Sequence, residues 1–157
     1  MQFQRKEKKL LAAADGSAVS LTDVPDEAFA SGILGVGFAI APSVGKIYSP
    51  ISGTVQGIVA SRHAYTLLGD DGLDVLVHVG IDTVELGGEG FVCHVCEGET
   101  VRAGEPLATV DLSLLEARGY STLIPIVITN PERIAAIDFT YGKVIGGKSE
   151  TARYRLA

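Results

Sequence analysis

The chain has 157 residues, 46% of them apolar and 20% charged, and its 13 basic side chains face 19 acidic ones for a net charge of -6. That length supplies one globular domain, able to bury roughly two thirds of its unfolded surface without disulfides or metals. The acidic balance argues against a nucleic-acid surface or an anionic membrane as the main partner.

Met1 to Leu11 carries Arg5, Lys6, Lys8 and Lys9 with no apolar stretch of signal-peptide length behind it. Residues 1–12 are therefore read as a flexible basic tail, secretion is not expected, and the ordered domain is placed at residues 13–157. Ala28 to Pro42 is the longest apolar stretch, but it falls short of the roughly 20 residues of a membrane helix, and Gly32, Gly35 and Gly37 interrupt it. Strand-like runs then follow at Ile33 to Ile40, Gly45 to Tyr48, Thr54 to Val59, Val75 to Val79 and Ile124 to Thr129, separated by glycine-marked turns such as Ser52-Gly53 and Asp71-Gly72. Helix is expected only over Asp111 to Arg118 and in a short turn after Pro131. The fold class is all-β: an antiparallel sandwich or barrel-like sheet with one or two short helices.

The segment from Ser61 to Gly80 carries the chemistry. Two strand-like runs flank a turn of the hairpin-closing type. With Asp70 and Asp71 as a two-residue loop, His63 lies opposite His78, where Cβ atoms stand about 4.5–5.5 Å apart. Centring the turn on Asp71-Gly72 still leaves both histidines on one face, whereas a three-residue loop sends them to opposite faces. Alternation groups Ser61, His63 and Tyr65, and likewise Asp74, Leu76 and His78, while Leu73, Val75, Val77 and Val79 form an apolar row for the core. Paired imidazoles beside a hydroxyl and a carboxylate suit phosphoryl transfer, one ring as nucleophile and the other as donor to an oxyanion. They also suit the start of a zinc site, which needs further ligands. Cys93 and Cys96 differ by an odd number, project from opposite faces of an extended segment, and are read as packing residues rather than a shared ligand pair.

His78-Val79-Gly80-Ile81-Asp82-Thr83-Val84-Glu85-Leu86, followed by Gly88-Glu89-Gly90-Phe91, closely resembles the signature of the glucose-type enzyme IIA domain of the bacterial phosphoenolpyruvate-dependent sugar phosphotransferase system. Val24-Pro25-Asp26, Phe29-Ala30-Ser31-Gly32, Ala39-Ile40-Ala41-Pro42, Pro50-Ile51-Ser52-Gly53-Thr54 and Thr129-Asn130 extend the resemblance over residues 14–155. It implies a β-sandwich of the duplicated hybrid motif type in which His78 carries a phosphoryl group on Nε2. The group would come from the phosphohistidine of the carrier protein HPr and pass to a cysteine of a sugar-specific enzyme IIB domain. His63 matches the family's second histidine, which supports the transition state, and Ser61 stands where the family usually has threonine.

The resemblance also places Asp26 and Asp82 at a rim that meets an arginine of the partner, and Phe29, Ile33, Leu34, Val59, Leu76 and Val84 in an apolar docking collar. Phe29, Ile33 and Val84 are favoured as docking residues, because small transient interfaces need an apolar centre. A backbone carbonyl near Gly80 is expected to hold the Nδ1 proton of His78. The scheme needs no metal and no cofactor, runs in the cytoplasm, and touches the membrane only through the permease. The alternatives are a non-catalytic regulatory module using the same face, and a zinc site at His63 and His78.

Overall fold

The computed structural model describes residues 7–157. Its strands, in chain order, are β1 (Lys8–Leu11), β2 (Gly16–Ser20), β3 (Val36–Pro42), β4 (Lys46–Tyr48), β5 (Gly53–Ile58), β6 (Ala64–Gly69), β7 (Asp74–His78), β8 (Phe91–Cys93), β9 (Thr100–Val101), β10 (Pro106–Val110), β11 (Ile124–Ile128), β12 (Ile134–Phe139), β13 (Gly142–Val144) and β14 (Glu150–Leu156). Two short α-helices, α1 (Glu27–Ala30) and α2 (Leu112–Ala117), and three 3-10 turns complete the described residues. All strand pairs are antiparallel. Eight strands form one sheet in the order β13-β2-β3-β11-β7-β6-β5-β9, and two three-stranded sheets, β1-β14-β12 and β4-β10-β8, pack with it. This is the antiparallel all-β sandwich that the sequence pattern predicts; α2 falls where helix is expected, the turn after Pro131 is 3-10, and α1 is not anticipated.

The large sheet is apolar on both sides where it matters. Phe38 and Ile40 of β3, Val75 and Val77 of β7, and Ile124, Ile126 and Ile128 of β11 face the main core. Their neighbours Ala39 and Val127 face a second, smaller core closed by Leu21, Val24, Phe29 and Ile81, with Leu76 packed against it. This is the period-2 alternation of a pleated strand, and it places His78 on the Leu76 side, away from the main core. The short α1 exists because this second core needs a lid. Its start is capped by Asp26, whose Oδ1 accepts from the Ala28 amide at 2.9 Å.

Three sequence expectations need correction. Residues 1–6 of the expected tail lie outside the described residues, but Lys8–Leu11 form β1 along β14, with Leu10 buried. The ordered chain thus reaches back beyond residue 13, because β14 offers a partner 140 residues away that no local pattern reveals. Ile33 lies in the turn after α1 rather than in β3.

The third correction concerns the hairpin register. Ala64, not His63, stands opposite His78, and Leu68 stands opposite Asp74. The loop therefore has three residues, Asp70, Asp71 and Gly72, with Gly72 at φ 87. Contacts from elsewhere hold this loop: Tyr154 donates to Asp71 Oδ2 at 2.7 Å, and Asn130 bridges the Gly72 carbonyl and the Asp74 amide. With that parity Tyr65 joins Val75 and Val77 in the main core instead of sharing a face with the histidines.

Candidate active site

His78 is the last residue of β7, and the chain turns sharply just after it. Gly80 has φ 81, and a Cβ there would stand 2.4 Å from Thr83 Cγ2 and 3.1 Å from Leu115 Cδ2, so glycine is required on both counts. The turn brings the Gly80 carbonyl to 2.7 Å from His78 Nδ1. A carbonyl only accepts, so Nδ1 carries the proton and Nε2 of the neutral ring keeps its lone pair. The loop is fastened from several directions. The Gly80 amide donates to the Leu123 carbonyl and the Ile81 amide to the Ser121 carbonyl, both at 3.1 Å. The Thr83 hydroxyl donates to the Val79 carbonyl at 2.7 Å, the Tyr120 hydroxyl donates to Glu85 at 3.0 Å, and Arg118 pairs with Glu89 at 3.0 Å.

His63 arrives by a different route. It precedes β6 and follows Arg62, which sits in the left-handed region at φ 59, so strand alternation does not govern its side chain. Its carbonyl accepts from the Val79 amide at 2.7 Å, which ties the two strand ends together. The rings of His63 and His78 then meet edge to face, with centroids 4.8 Å apart and planes at 81°. Ser61 Oγ lies 2.6 Å from His63 Nδ1, so the serine contacts the second histidine directly. Phe29 closes the other side, its ring centroid 5.1 Å from that of His78.

Electrostatics keep both rings neutral near pH 7. Burial, and then the adjacent His78, push the pKa of His63 down from 6.5 to about 4. For His78 burial also lowers the value, against the upward pull of the Gly80 hydrogen bond, Asp26 and Asp82. A neutral His78 with its Nδ1 proton pinned is a nucleophile through Nε2. A neutral His63 is a donor through Nε2 when the Ser61 hydroxyl gives its proton to Nδ1.

The rim residues divide. Ile33 (81% exposed), Val84 (56%), Val59 and Leu34 are open apolar surface. Phe29 is only 5% exposed and Leu76 is half-buried, so these two form the wall and floor of the site rather than its collar, because both are committed to the second core. Asp26 caps α1 and acts electrostatically on His78. Asp82 sits in the left-handed region at φ 62, its side chain making no cap hydrogen bond to the 3-10 turn Thr83–Leu86.

The bonds from the 118–123 segment to the His78 loop were invisible in the sequence. The one hint was the polarity of Arg118 and Tyr120 beside an apolar strand. Among the described residues no group of three or more His, Cys, Asp or Glu side chains is arranged to hold a metal. No helix among them is long and apolar enough to cross a membrane.

An antiparallel sandwich thus presents two facing imidazoles, one with its Nδ1 tied to the main chain. The family model for the phosphoenolpyruvate-dependent sugar phosphotransferase system, EIIA 1, matches residues 8–134, and the chain belongs to that family. It is 40% identical over 143 residues to a PTS system glucose-specific EIIA component of Haemophilus influenzae, covering 91% of this chain and 86% of the relative. It is 38% identical over 147 residues to one from Staphylococcus aureus, covering 93% and 89%. A glucose-specific EIICBA component of Streptococcus pneumoniae matches 99% of this chain at 38% identity, and there the chain spans 22% of the relative's length. A solved structure, glucose permease IIA from Mycoplasma capricolum, superposes with a TM-score of 0.90 at 35% identity, covering 98% of this chain and 99% of that one.

Proposed function

We propose that this domain is a cytoplasmic phosphoryl carrier: Nε2 of His78 takes a phosphoryl group from the phosphohistidine of HPr and hands it to a cysteine of an enzyme IIB domain during sugar uptake. The names of its relatives point to glucose as the class of sugar. The observation that carries this reading is the 2.7 Å contact from His78 Nδ1 to the Gly80 carbonyl, which leaves Nε2 as the reactive atom beside His63.

Phosphoryl transfer spreads charge over three equatorial oxygens and asks mainly for position and electrostatics. The fastened 80–90 loop supplies position. His63, with Ser61 feeding a proton to its Nδ1, supplies a donor to those oxygens through Nε2. Once the phosphoryl group is in place, its negative charge raises the pKa of His63 from about 4, which strengthens that donor. Asp82 and Asp26 neutralise a basic group on the incoming partner, and Ile33, Val84, Leu34 and Val59 supply the apolar contact.

Incubation with phosphoenolpyruvate, enzyme I and HPr, followed by mass spectrometry, tests the reading. An acid-labile gain of one phosphate is expected, absent in His78→Ala. His63→Gln is expected to accept the phosphate and fail to pass it on. Normal labelling of His78→Ala would remove His78 as the acceptor.

A further inference from the structure

Behind the turn that carries His63 lies a polar atom that the phosphoryl chemistry leaves unused. Tyr65, the second residue of β6, is fully buried, and its hydroxyl is the one buried side-chain N or O atom among the described residues without a hydrogen-bond partner. Burying an unpaired hydroxyl is costly, and such a group in a native fold calls for an explanation. The hydroxyl lies against the Cys93 sulfur and within electrostatic reach of Arg62. A thiol sulfur is a weak acceptor, and this one gives its own proton to the Val95 carbonyl at 3.0 Å. Cys93 and Arg62 both line an open cleft of about 440 Å³, together with Ile58, Val59, Ala60 and Val95, so the half-buried thiol is reachable by a small molecule. The thiol thus has the buried phenol on one side and shares the cleft with Arg62 on the other.

We propose that Cys93 is a site of oxidation by hydroperoxide, and that the sulfenic acid formed there accepts the Tyr65 O–H bond beside the Arg62 guanidinium. The Cys93 thiolate attacks one peroxide oxygen; the O–O bond breaks as the S–O bond forms, and the departing hydroxide takes up the thiol proton as water. Sulfur loses two electrons and the peroxide gains them. In the reduced protein Tyr65 meets only the weak acceptor sulfur of Cys93, and oxidation supplies an oxygen, so the buried donor favours the oxidised form and prolongs its life. Cys96, three residues on and exposed, has no part in this.

The test uses the full chain carrying Cys96→Ser. It is treated with hydrogen peroxide, which is removed by catalase; dimedone is then added and the adduct is mapped by mass spectrometry. The adduct is expected on Cys93 and is lost in Cys93→Ser. Adding Tyr65→Phe is expected to cut the labelled fraction by about fivefold, the worth of one ordinary hydrogen bond. The same change should leave the melting temperature of the reduced protein nearly unchanged, since that hydroxyl meets only a weak sulfur acceptor. If Tyr65→Phe does melt early, Arg62→Asn, which suits the left-handed position, replaces it with a drop in labelling again expected. Absence of an adduct on Cys93, or equal labelling with and without the Tyr65 hydroxyl, would overturn the proposal.

Discussion

On one side of the site, His78 gives its Nδ1 proton to a main-chain carbonyl in a loop fastened by backbone and side-chain bonds from residues 118–123. On the other, His63 meets a serine hydroxyl two residues upstream, in a turn that borders an open cleft. A carbonyl cannot change roles, whereas a hydroxyl donates or accepts by rotating about one bond. In the proposed transfer, the ring that offers one lone pair throughout is tied to the first kind of partner, and the ring proposed to act as donor once charge appears beside it is tied to the second. The contrast explains why the fold spends a glycine, a buried threonine and two exposed pairs on one histidine and a single hydroxyl on the other.

Breaking the His63 side should cost the most in transfer. His63→Gln is expected to slow delivery to the IIB cysteine by about 10²–10³, the usual effect of removing one transition-state donor, while phosphate uptake measured by mass spectrometry stays complete. Breaking the fixed side shows first as instability: Gly80→Ala places a Cβ against Thr83 at a left-handed φ and should lower unfolding free energy by about 2 kcal/mol or more in urea titrations. Ser61→Ala should reduce onward transfer by about tenfold, with Ser61→Thr restoring it, since only the hydroxyl is needed. Full activity in Ser61→Ala would show that the rotating hydroxyl is not used.

Acid should act through the same contrast. His63 has a folded pKa below its ordinary 6.5, so the unfolded chain binds the proton more readily between about 4 and 6.5. Its contribution to stability is present above pH 6.5 and falls away as the pH drops towards 4. His63→Gln should flatten that part of a stability–pH curve. The smallest effect belongs to Tyr120→Phe, which removes one exposed bond to Glu85. It should raise the KM for phospho-HPr by about two- to threefold with kcat unchanged, if the clamp serves to present Asp82.

Much of this was legible beforehand, for reasons that can be named. The alternation in Leu73 to Val79 was enough to assign both faces of β7, because β7 sits between two apolar layers and each side chain has only one place to go. The meeting of the two rings was expected, but through a two-residue loop that the protein does not have. Asp71 and Gly72 are held in a three-residue loop by Tyr154 and Asn130, distant residues that no local turn rule includes. Parity alone would then separate the histidines; they meet because His63 lies just outside β6, after the left-handed Arg62. Helix α1 was hidden in an apolar stretch, though Asp26 in front of it is an N-cap residue. Strand β1 was missed because Lys8 and Lys9 read as solvated, and only the pairing with β14 makes them a strand.

The central claim concerns one nitrogen atom. Phosphorylation of the protein carrying 15N-labelled histidine, followed by NMR of the 31P–15N coupling, reads that atom directly. The account predicts a single phosphoramidate at Nε2 of His78, with the Nδ1 proton still present. A phosphoryl group on Nδ1 of His78, or on either nitrogen of His63, would contradict it.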